Sequence, residues 1–127
     1  MVEFALTVGA VVFLIFWFFE TVMVVYTFSV ITNAAKEGVR YAIVHGASNT
    51  VPSGPGNLTD IKNVVEAYAR LSLHDTTALT VTPAYPDGTN RAPNRVSVTI
   101  TYTYVPYIKL PWTNPSISAK AQGRIVN

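Results

Sequence analysis

Two carboxylates stand in an apolar sequence. Glu3 stands at the start of the chain, and Glu20 interrupts the run from Phe4 to Ile31, in which it is the one side chain charged at neutral pH. A carboxylate in hydrocarbon costs several kcal/mol unless it is paired or protonated. Glu3, at the start, fits an interfacial position. Glu20 lies about 25 Å further along a helix axis. It must snorkel to an interface, meet a partner on a neighbouring helix, or hold a proton.

The other chemistry-bearing residues do not assemble into a site. His45 and His74 lie far apart and have no ligand at helical spacing. That argues against a metal. Asp75 beside His74 reads as a turn pair. No nucleophile elbow, phosphate-binding loop or dinucleotide fingerprint occurs. The run Pro52-Ser53-Gly54-Pro55-Gly56 is glycine-rich, but its prolines lack the backbone donors of a phosphate cradle. Asn57-Leu58-Thr59 matches an N-glycosylation acceptor, so Asn57 is a possible glycan site. No catalytic residue, cofactor site or metal site is expected, and the chain is expected not to be an enzyme.

Composition points the same way. Half of the 127 residues are apolar and 13% are charged, against about 25% in an ordinary soluble domain. Residues 1–35 hold two acids and no base. Residues 36–127 hold nine bases and five acids. A net charge of about +4 over that length is too thin to bind nucleic acid. There is no Cys, which excludes disulfides and leaves the compartment open.

The run from Phe4 to Ile31 is long enough for a bilayer core of about 30 Å. Its apolar residues cover every face, as suits a helix surrounded by lipid or by other apolar helices. A cleaved signal peptide fits poorly: no basic segment precedes the run, and no small-x-small site closes it. The helix should continue beyond the membrane. Over 34–45, Ala35, Val39, Ala42 and Ile43 share one side, and Lys36, Glu37 and Arg40 the other. Gly46 is the expected stop. A helix of about 45 residues, near 65 Å, exceeds any bilayer. Its outer third must rest on a head.

The chain thus divides into a helix over 1–46 and a globular head over 47–127. Residues 47–57 form a loop. Leu58, Ile61, Val65, Tyr68 and Leu71 recur at helical spacing and predict a helix over 58–73, capped by Asn57 or Thr59. Alternation predicts strands over 77–82, 95–105 and 116–126. The link 83–94 contains the turn signal Pro-Asp-Gly-Thr. The link 106–115, with three prolines and Trp112, should be an ordered surface excursion. The expected fold is α+β: a long protruding N-terminal helix, packed by its C-terminal part on a second helix and a roughly three-stranded antiparallel sheet. One sheet face should be apolar and the other Thr- and Ser-rich.

Met1-Val2-Glu3-Phe4-Ala5-Leu6 resembles the processed N-terminus of the TadE-like pilins, relatives of the type IV pilins. Asn33-Ala34-Ala35-Lys36-Glu37-Gly38-Val39-Arg40-Tyr41-Ala42 is similar to that family's helix end, and Ile117-Ser118-Ala119-Lys120-Ala121 to its last strand. The resemblance implies a subunit matured by a prepilin peptidase and held single-pass in the inner membrane. An assembly ATPase and a platform protein would then draw it into an extracellular helical filament of identical copies. It also implies that Glu3, with Phe4, sets register by meeting a neighbour's α-amino group. The family's glutamate is usually fifth and here is third, which leaves the mature N-terminus open. Phe13, Phe16, Trp17, Phe18, Phe19 and Glu20 would lie in the helix core. The expected function is a structural pilin subunit of a Tad-type pilus serving adhesion or surface attachment. The alternatives are a pseudopilin of a secretion machine and a membrane-anchored binding protein.

Overall fold

The computed structural model describes residues 1–109 and 113–126. Five elements follow in order: α1 (Val2–Val44), α2 (Thr59–Arg70), β1 (Leu79–Ala84), β2 (Arg95–Thr103) and β3 (Ser116–Arg124). The strands form one antiparallel sheet in the order β1-β2-β3. The fold is α+β, as the sequence predicts.

α1 has 43 residues, or about 65 Å. Its threonines do not break it, because Thr7, Thr21, Thr27 and Thr32 each donate to the carbonyl four residues back. A hydroxyl satisfied in this way can sit in an apolar helix. The helix ends at Val44 with His45 as its cap, so Gly46 follows directly where the stop is expected, but without the left-handed φ of a glycine cap. Gly88 is the one glycine with positive φ among the described residues. The free carbonyls at the end find donors in the following loop instead. Asn49 Nδ2 donates to the Val44 carbonyl at 2.8 Å. The Ser53 N–H and hydroxyl both donate to the His45 carbonyl, at 2.7 and 3.1 Å. Ser53 is fully buried, so its polar atoms need these bonds.

α2 begins at Thr59, after Leu58 at the cap position, without a side-chain cap. Neither Asn57 nor Thr59 caps it: Thr59 is already helical, and Asn57, one residue before the cap, donates its amide Nδ2 to Asp60 Oδ2 at 3.1 Å. Asp60 in the first turn and Arg70 in the last complement the helix dipole.

The sheet's inner face carries Val81, Val96, Val98, Ile100, Tyr102, Ile117 and Ala119. They pack with Ile31, Ala34, Ala35, Val39 and Ala42 of α1 and with Ile61, Val65 and Ala69 of α2. The outer face is polar, with Thr80 paired to Thr101 and Thr101 to Ser118. Pro83 sits on the edge strand β1, where a missing N–H does no harm. The Pro-Asp-Gly turn forms as expected: the Gly88 N–H donates to the Tyr85 carbonyl, and Gly88 takes φ 79°.

Two glycines let the layers meet. A Cβ on Gly38 would lie 2.5 Å from Val65 Cγ2, and one on Gly123 would lie 2.5 Å from Ile43 Cδ1. Both distances are below van der Waals contact. β3 and α2 therefore close on α1 only because these positions lack side chains.

The expected ordered excursion over 106–115 lies partly outside the described residues, since 110–112, with Trp112, fall there.

Candidate functional site

The head covers α1 much further down than the amphipathic pattern of 34–45 suggests. Burial begins at Glu20 and continues through Met23, Val24, Thr27, Val30 and Ile31. What projects is Val2–Phe19, and every one of these residues is exposed. The stretch spans about 27 Å at 1.5 Å per residue. It is therefore shorter than the Phe4–Ile31 run, because the lower head takes one side of residues 20–31. The apolar residues of 20–31 serve partly as head core, which composition alone does not distinguish from a membrane span.

Glu20 marks the boundary. It is 5% exposed. Tyr104 donates its hydroxyl to Glu20 Oε2 at 2.6 Å, and the Ile108 backbone N–H donates to Oε1 at 2.7 Å. Each carboxylate oxygen thus has a donor, which offsets the burial of a polar group. The sequence offers a neighbouring subunit, an interface or a proton as the answer for Glu20. The structure supplies another: donors from its own chain, on the segment following β2. Burial first, and then the hydrogen bond to Glu20 and its charge, hold the Tyr104 phenol well above its ordinary range.

The segment that carries these donors lies against the helix. Tyr107 meets Phe19 edge-on, with ring centroids 6.1 Å apart. His74 packs against Tyr107 at 4.1 Å. Next to Glu20 is a crevice of about 100 Å³ between Trp17, Thr21 and Val24 on the helix and Tyr104, Pro106 and Pro115 on the head. Pockets for small ligands usually measure about 300–1,000 Å³, so this is a packing gap between helix and head.

The remaining residues singled out from the sequence lie apart. Glu3 and Phe4 are exposed near the free tip, and the Glu3 carbonyl accepts from Thr7. Phe13, Phe16, Trp17, Phe18 and Phe19 are exposed around the helix. Asn57 is exposed in the loop before α2. His45 stacks on Tyr41 at 3.9 Å at the end of α1. Asp75 accepts the Thr77 N–H and hydroxyl in a turn, and these bonds lower its pKa. No cluster of metal-ligating residues occurs among the described residues.

Sequence reasoning did not find Tyr104, Ile108 or Tyr107. Tyr104 ends the period-2 alternation of β2, and its apolar side predicts burial. Its hydroxyl partner is 84 positions away, which no local pattern encodes. The Ile108 donor is a backbone group and has no signature at all.

What the arrangement can do is present an apolar rod of defined length, separated from a polar head by a satisfied carboxylate. No curated protein and no solved structure matches the chain. Its N-terminal segment does match a family model: residues 1–40 are similar to the family described as TadE-like protein, a structural family associated with Tad pili.

Proposed function

We propose that this chain is a structural pilin subunit that polymerises through its N-terminal helix into an extracellular Tad-type filament serving surface attachment. Before assembly it would sit single-pass in the inner membrane. The exposed apolar rod Val2–Phe19 carries this reading. A patch that contiguous is not left to water. Lipid covers it in one state, and the same segment of sister molecules covers it in the other. The family match over residues 1–40 includes the whole rod.

In the filament, Phe13, Phe16, Trp17, Phe18 and Phe19 would pack by dispersion and ring contacts. Glu3, exposed near the tip, would meet the α-amino group of a neighbour in a charge-assisted bond. A prepilin peptidase, an assembly ATPase and a platform protein would be the partners of this process. The direct test is to shear appendages from cells that express the chain and identify the repeating polypeptide. The chain should be recovered there. Its restriction to membrane fractions, with filaments made of something else, would refute the reading.

A further inference from the structure

The lower edge of the head carries its own cluster of rings. Tyr107 is 46% exposed and packs between Phe19 of the helix and His74 of the head. Phe19 stays exposed beyond this contact, Trp17 is exposed where it lines the crevice with Pro106 of the same strap, and Lys109 is exposed two residues after Tyr107. The Ile108 N–H bond to Glu20 pins this strap at the point where the projecting helix ends.

Depth is what gives the cluster a meaning. Val2–Phe19 spans about 27 Å, close to the ~30 Å of a hydrocarbon core. Amphipathic rings and long basic side chains concentrate at the headgroup level of membrane proteins. With the rod in hydrocarbon, Trp17, Tyr107, His74 and Lys109 arrive together at that level. Glu20, next along the helix, is withdrawn onto the head's own donors. We propose that residues 105–109, together with Trp17 and Phe19, form a membrane foot that seats the head on the headgroup layer of a bilayer. This rests on the membrane-held stage of the function proposed above.

The test uses site-specific labels, since the chain has no cysteine. Lys109→Cys, Leu14→Cys and Thr101→Cys are each given a nitroxide on the full chain, in dilute phosphatidylcholine–phosphatidylglycerol vesicles. Access to oxygen and to a water-soluble nickel chelate is then measured. Position 14 should be open to oxygen and closed to nickel, and position 101 the reverse. Position 109 should fall between them, with nickel access several-fold below that at 101. Full nickel access at 109 with position 14 in lipid overturns the foot and leaves membrane insertion standing. Low access to both reagents at 109 means that another copy covers the strap, which also overturns it. Nickel access at position 14 overturns the membrane-held stage itself.

Discussion

The Tyr104 hydroxyl donates a 2.6 Å hydrogen bond to Glu20 Oε2, joining the end of the central strand to the middle of a 43-residue helix. This bond, with the Ile108 N–H bond to the other oxygen, fixes where the head ends and the free rod begins. Tyr104→Phe removes one donor and leaves Glu20 buried with the other. The expected loss is roughly 1.5–3 kcal/mol, the scale of a hydrogen bond to a charged group. Denaturant unfolding of the detergent-solubilised chain measures it. A loss below about 0.5 kcal/mol would mean that the bond does not hold the head down.

Gly38 and Gly9 lie on the same helix and should respond oppositely. A Cβ on Gly38 meets Val65 Cγ2, a β-branched side chain with little freedom to move, whereas a Cβ on Gly9 meets nothing within 4 Å. Gly38→Val should destabilise the head by about 1–3 kcal/mol through overpacking. Gly9→Val should leave head stability unchanged. Equal effects would show that α1 and α2 do not approach as described.

Much of this was legible in the sequence. The strict alternation of Val96, Val98, Ile100 and Tyr102 with polar residues gave β2 and its buried face, and the helical spacing of Ile61 and Val65 gave α2. Both signals are local periodicities set by backbone geometry. The end of the exposed rod was not legible. Val24, Val30 and Ile31 look as lipid-compatible as Val11 or Ile15, and only tertiary contact separates them. The stop of α1 at Gly46 was legible, but the groups that close the helix were not. Gly46 is a local signal, but the donors that close the helix, from Asn49 and Ser53, belong to a loop whose path depends on Asn90 and Tyr85.

Acid should weaken the head through Asp87. Arg95 donates to its carboxylate through the guanidinium and the backbone N–H, and these bonds, the guanidinium's first, lower its pKa from 3.8 to about 2. A depressed carboxylate pKa contributes stability above the unfolded value and loses it as pH falls through the folded value. The contribution should therefore be whole above about pH 4 and fade toward about pH 2. Unfolding titrations of Asp87→Asn should be flatter in that window. Asp75, lowered by Thr77, should leave a smaller residual slope. An unchanged slope in the variant would show that the Asp87–Arg95 pair is not formed in solution.

Glu3 tests assembly apart from folding. It is exposed, and its side chain lies far from the head core. Glu3→Ala should leave membrane insertion and unfolding midpoints intact while reducing filament yield severalfold. Normal yield by quantified shearing would remove Glu3 from any register role.

The most direct measurement is a helical reconstruction of appendages purified from cells expressing this chain. It should show the chain as the repeating unit, with residues 2–19 of successive copies side by side in a lipid-free centre and the heads outside, each joined to its helix at Glu20. Appendages that lack this chain, while it stays dispersed as single molecules in the bilayer, would contradict the filament role outright.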